Sequence, residues 1–98
     1  MYKTYNGWSN YETWCVNLHL TNDEYGNEAL QDILRIEKNN YVAGRSIREF
    51  FESNYCETEN CGLFVADAVN AFLGAVQWGE IANSNREDED NEEENEEV

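Results

Sequence analysis

Positive charge is what this sequence has least of. Its 98 residues carry six Lys and Arg against 21 Asp and Glu, which with one histidine leaves a net charge of −15 and a pI near 4.1. Nucleic acid and anionic lipid are polyanions that need Lys and Arg, so the balance argues against direct binding to either and points to basic partners or to solubility. No apolar run approaches the roughly 20 residues that span a bilayer. The N-terminal MYKTYNGW lacks the apolar core of a signal peptide, and the expected location is the cytoplasm. Three cysteines without a secretory signal fit reduced thiols better than a disulfide framework. Period-two alternation is absent, so no strand is predicted. A Gly-rich phosphate loop, a nucleophile elbow and an HExxH motif are absent too, and the chain is not expected to be an enzyme or to hold a cofactor.

What is present is helical pattern. The length suits one domain with a single modest core, and 41% hydrophobic and 13% aromatic residues supply it. The stretch Trp8 to Glu24, WSNYETWCVNLHLTNDE, writes two helix starts. Ser9 with Glu12 reads as a capping box, which starts a helix near Asn10. Tyr11, Trp14, Cys15 and Leu18 then form an apolar stripe on a 3.6-residue period. Thr21 with Glu24 repeats the signal, ending this helix near Leu20 and opening a second from about Asn22 to Lys38, with Tyr25, Ala29, Leu30, Ile33, Leu34 and Glu37 near helical spacing. Gly26 is expected to weaken its first turn. Before all this, Asn6-Gly7 predicts a turn that closes an extended arm, with Tyr2 and Tyr5 packing across the first helix.

A third helix is predicted from about Tyr41 to Asn54, its inner face Ala43, Ile47, Phe50 and Phe51 and its outer face Arg45, Arg48, Glu49 and Glu52. After an acidic loop, Asn60 can cap a fourth helix. Its apolar residues Cys61, Phe64, Val65, Ala68, Val69, Phe72, Leu73 and Val76 keep helical register for four turns. This predicts the central helix of the core, with Ala71 and Gly74 letting another helix approach. Residues 77 to 82 can add a short closing helix with Trp78, Ile81 and Ala82 on one face. The expected fold is therefore all-α: a compact single-domain bundle of four main helices plus a short fifth over residues 1–85. Residues 86–98, REDEDNEEENEEV, are predicted to form a disordered acidic tail. Without that tail the body still has 12 acids against 5 bases, a net −7.

Sharper chemistry can be drawn from four residues. Cys15 and His19 share a helix face, and Cys56 and Cys61 flank a loop, so a Cys3His zinc site is conceivable. The spacing departs from the usual C-x2-C pair, however, and Cys15 and Cys61 already belong to apolar stripes, where buried core thiols are the commoner outcome. No metal is expected. A Cys15–His19 nucleophile pair would need an open cleft. Trp8, Trp14 and Trp78 read as core or lid aromatics, because base stacking normally comes with a positively charged groove.

Two stretches carry a family resemblance. Trp8-Ser9-Asn10-Tyr11-Glu12-Thr13-Trp14 with Val16, Leu18, Leu20, Asn22, Asp23 and Glu24, and the late Val76-Gln77-Trp78-Gly79-Glu80-Ile81-Ala82, resemble an uncharacterised family of small phage, plasmid and bacterial proteins. That family opens with NYETWxVxLWLxND and ends with VNWxEIA. His19 stands where it often has Trp, and Gln77 where it often has Asn. The resemblance implies a small helical domain carried on mobile elements, with no assigned chemistry.

Mobile-element context joined to acidity brings an analogy with anti-CRISPR and anti-restriction inhibitors that mimic DNA. Duplex DNA carries a charge about every 1.7 Å of its axis, and proteins grip it with Lys and Arg. Glu24, Glu28 and Asp32 form an i, i+4, i+8 row beside Asp23, and Glu49, Glu52, Glu57 and Glu59 lie on a helix end and its loop. Like charges one turn apart cost a few tenths of a kcal/mol per pair, so such a row invites a functional reading. The leading expectation is a phage-type inhibitor in the host cytoplasm, whose eight carboxylates block a basic nucleic-acid-binding complex of host defence. The alternative is a helical protein–protein adaptor with an aromatic and apolar contact surface, the acidic tail serving solubility.

Overall fold

A computed structural model describes residues 5–57 and 60–86. The chain enters through the predicted Asn6-Gly7 turn, where both residues take positive φ (48° and 88°) and Tyr5 and Trp8 exchange backbone hydrogen bonds of 2.9 and 2.7 Å. This isolated bridge is the one extended pairing among the described residues. Four helices follow: α1 (Tyr11–Asn22), α2 (Glu24–Ile36), α3 (Asn40–Tyr55) and α4 (Leu63–Ala75). A fifth, α5, covers 78–86. The fold is all-α, as the periodicity predicts. Tyr2, Glu59 and residues 87–98, which hold most of the predicted tail, lie outside the described residues.

The first cap differs from the capping box. Asn10, one residue later than Ser9, takes the N-cap position, its Oδ1 accepting the Thr13 N–H at 2.9 Å and the Thr13 hydroxyl at 2.6 Å. Ser9 instead donates its N–H to Glu80 Oε2 at 3.3 Å. Asn and Ser cap about equally well, so the additional bond from Asn10 Nδ2 to the Ala75 carbonyl (2.8 Å) favours Asn10. Likewise Asp23, not Thr21, caps α2 by accepting from Gly26 N, and α2 stops at Ile36 rather than Lys38. Asn39 caps α3, accepting from Tyr41 N and Val42 N.

Burial corrects two stripes. In α1 the buried positions are Thr13, Val16 and Leu20, whereas Tyr11 is exposed and Trp14, Cys15 and Leu18 are half-buried. The aromatic side of α1 is roofed locally instead: the Tyr5 ring lies 5.3 Å from Tyr11 and 5.0 Å from Trp14, and Phe72 is 6.2 Å from Tyr11. In α2, Leu30 and Leu34 are buried as expected, while Tyr25 is exposed and Gly26 is buried.

The larger correction concerns α4 and α5. Of α4 only Leu73 is buried, and Leu63 and Phe64 are 85% and 83% exposed. Ala71 and Gly74 are exposed as well, and a Cβ at Gly74 would meet nothing within 4 Å among the described residues. Gly62 rather than Asn60 is the N-cap, with no side-chain hydrogen bond. The short fifth segment takes the central place: Ile81 and Ala82 are fully buried, and Asn85, Asn83 and Arg86 bond to Asn17 of α1, Asn40 at the start of α3 and the Leu34 carbonyl of α2. Gly44 is what lets α3 cross the start of α5, since a Cβ there would meet Gly79 N and Trp78 C at 3.0 Å. Arg86, placed at the head of the predicted tail, is thus a helical residue of the body. Each fully buried Leu or Ile contributes roughly 1.5–3 kcal/mol, and those of α1, α2, α3 and α5 form the main cluster.

Candidate functional site

The apolar periodicity of α4 exceeds what its one buried residue uses. Leu63, Phe64 and Val65 open the helix in water, and from there a groove of about 360 Å³ runs between α4 and the end of α3, lined by Phe64, Val65, Ala68 and Phe72 on one side and Phe51 and Cys56 on the other. Glu52 and Asn70 border an adjoining hollow of about 210 Å³ that shares Cys56, Val69 and Leu73 with it. Burial pushes the Cys56 thiol up from its ordinary range, with the Glu52 carboxylate adding to the rise, so Cys56 lines the groove as a neutral thiol near pH 7.

The sequence that builds the groove carries charge of one sign. From Glu49 to Asn85 the sequence has six carboxylates and no Lys, Arg or His. Asp67 lies exposed on α4, and Glu57 is exposed beside Cys56. Arg48, just outside that stretch, donates to Glu52 at 3.0 Å along α3.

The eight carboxylates expected to bind a partner divide into groups. The Tyr55 hydroxyl donates to Asp23 at 2.7 Å, and Tyr25 and Phe50 meet at 5.6 Å, so the start of α2 and the last turns of α3 share one end of the molecule. Asp23 is committed there as cap and as acceptor. Asp32 is bound by Arg35 at 2.6 Å, and Glu52 by Arg48. Both pairs face water and contribute little to stability, yet they cancel charge at the surface. Glu24, Glu28, Glu49 and Glu57 are exposed, and Glu59 lies outside the described residues.

The zinc set is not assembled. No group of three or more His, Cys, Asp or Glu is placed to hold a metal among the described residues. Cys15 engages Tyr11, whose phenol it raises above the ordinary range, chiefly through a side-chain hydrogen bond. Cys15, Cys56 and Cys61 form no disulfide among the described residues.

The two motifs behind the resemblance meet in space. Thr13 Oγ1 accepts the Gln77 N–H, Asn10 reaches Ala75, and Ser9 reaches Glu80. A family model matches residues 1–97. The chain belongs to DUF7249, a family of unknown function. No curated protein and no solved structure matches it. Membership of DUF7249 agrees with the expectation of an uncharacterised domain family and assigns no chemistry. The joined motifs hold α1 to α5, and the groove lies on neither of them.

The signal that could have marked the groove is an excess. Leu63, Val65, Ala66 and Ala71 lie beside the stripe of Phe64, Ala68 and Phe72, so α4 is apolar over more of its circumference than a flank helix of a small bundle needs. Such breadth reads equally as full burial, which is how α4 comes to look central. No helix among the described residues is long and apolar enough to cross a membrane.

Proposed function

We propose that this DUF7249 protein acts by docking a basic partner protein on the outer face of α4, with no reaction of its own. One observation carries the reading: Leu63 and Phe64, the first two residues of a regular helix, stand more than four-fifths exposed beside an apolar groove. Single exposed apolar residues are ordinary, whereas a contiguous patch with a polar border marks an interaction surface. The acidic border selects the partner's sign, because like-charged surfaces repel and basic ones are steered in.

A second reading keeps the acidic face as the contact: a mobile-element inhibitor, of anti-CRISPR or anti-restriction type, that offers carboxylates to the basic nucleic-acid-binding surface of a host defence complex. Its support is that Glu24, Glu28 and Glu49 are exposed and paired with no cation among the described residues.

Capture from host lysate with the full chain, Phe64→Asp and a Glu24→Gln/Glu28→Gln/Glu49→Gln triple variant separates the two. The docking reading expects a basic protein held stoichiometrically by parent and triple variant and lost by Phe64→Asp at unchanged helicity. Loss by the triple variant alone, with binding that collapses as salt rises, establishes the acidic face instead and overturns docking on α4.

A further inference from the structure

We infer that the occupant of the α4 groove is an amphipathic helix whose apolar stripe is bordered by Lys and Arg; this deepens the docking reading above and rests on it. The first observation is the relief of α4. Phe64, Ala68 and Phe72 follow one another at i, i+4, i+8, so two rings stand either side of a methyl group and leave a notch two turns long, floored by Phe51 and Cys56. Rows at this spacing are the ridges by which helices pack, each seating in a groove of its neighbour, and the small residue between two rings opens one here to a partner's side chain.

The second observation concerns backbone. Between its caps α4 satisfies its own N–H and C=O groups, and the described residues hold no strand whose edge could accept a peptide by β-addition. A segment laid on an apolar face must therefore satisfy its own backbone, which a helix does and an extended peptide does not.

Charge supplies the third. Glu52 borders the hollow that adjoins the groove, Glu57 follows Cys56 of its lining, and apart from the Arg48 that bonds Glu52 the sequence from 49 to 85 supplies no cation. A second copy of this chain would bring the same carboxylates against their own images at −15 per chain, whereas Lys and Arg beside a hydrophobic stripe would meet them favourably.

The test titrates isotope-labelled full-length protein with three short synthetic peptides: Leu and Lys in helical amphipathic order, the same composition scrambled out of register, and Leu with Glu in the amphipathic order. The expected result is that the ordered Leu/Lys peptide alone moves amide signals of α4 and the end of α3. Phe64→Asp, altering a side chain that is 83% exposed and outside the core, should weaken that binding by at least about tenfold with the circular dichroism unchanged. Equal binding of the Leu/Glu peptide overturns the basic-helix inference while leaving docking on α4 in place. Equal binding of ordered and scrambled Leu/Lys peptides, insensitive to Phe64→Asp, overturns both. A concentration-dependent dimer that Phe64→Asp dissociates puts a second copy in the groove and overturns the helix partner.

Discussion

Thr13 Oγ1 accepts the backbone N–H of Gln77 at 2.9 Å, joining the first helix to the entry of the last across 64 positions of sequence. The Thr13 side chain is fully buried, and its hydroxyl proton goes to Asn10 Oδ1 at 2.6 Å, so both of its hydrogen-bonding roles are filled. Thr13→Val keeps the shape and removes both bonds, leaving the Gln77 N–H without its acceptor. The expected cost is about 1–3 kcal/mol in urea denaturation, the loss of two hydrogen bonds at about 0.5–1.5 kcal/mol each. Thr13→Ser, which keeps the hydroxyl and loses one methyl, should cost less than Thr13→Val. Equal stability of Val and Thr at this position would show that water reaches the Gln77 amide.

Two helical glycines should respond to alanine with opposite signs. In α2, a Cβ on Gly26 would collide with the Tyr55 hydroxyl and lie 2.9 Å from the Leu20 carbonyl, so Gly26→Ala should destabilise by about 1–3 kcal/mol despite alanine's better helix propensity. Tyr55→Phe removes the nearer obstacle and should restore part of the loss in the double variant, a coupling that a double-mutant cycle reads directly. In α4, Gly74 has open space around the same position, and Gly74→Ala should stabilise by up to about 1 kcal/mol. Thermal unfolding of these four variants, the two singles and the double of the cycle with Gly74→Ala, checks both signs.

Tyr55 also predicts a pH dependence. Burial first, and then the hydrogen bond to the Asp23 carboxylate, push its phenol from 10.0 up to about 12. A folded pKa above the unfolded one means that the native state holds the proton longer, so the contribution is fully present below pH 10 and is lost as pH rises from 10 through 12. Difference melting curves of parent against Tyr55→Phe should therefore converge over that window and stay parallel below it. The ultraviolet titration of phenolate should show a step near pH 12 in the parent, and that step should be missing from Tyr55→Phe.

These relationships show what the sequence makes legible. Ser9 to Glu24 and Val76 to Ala82 announce the α1 start, the α2 start and the short closing helix, because caps and turns are local chemistry and each is written within a few residues. The choice of Asn10 over Ser9 is not local: it is decided by the carbonyl of Ala75, 65 positions away. Burial order is less legible still. Phe64 and Ile81 are both apolar residues in helical register, and only the tertiary arrangement leaves one 83% exposed and the other at zero. The amphipathic reading ranked α4 as central because a broad apolar helix in a buried position and one with an outward apolar face have the same pattern. The acidic row was visible in the sequence, but Asp23 as a cap and the partnerships of Asp32 and Glu52 needed the structure.

Arg86 gives the last test, because it separates a residue of the fold from the acidic run that follows it in sequence. Its guanidinium donates to Asn40 Oδ1 at 2.9 Å, to the Leu34 carbonyl at 2.9 Å and to the Glu37 carbonyl at 2.7 Å. Those carbonyls belong to the end of α2, where intrahelical partners run out and a cation is favoured by the helix dipole. A planar fork can serve three acceptors spread in this way, while an ammonium on a flexible stem cannot match their geometry. Arg86→Ala should therefore lower stability by about 1–3 kcal/mol, and Arg86→Lys should recover only a part of it. Hydrogen exchange should report the site, with faster exchange at the last turn of α2 and the end of α5. Unchanged exchange at both places in Arg86→Ala would mean that the guanidinium does not clasp α2 in solution, and that the folded body ends before residue 86.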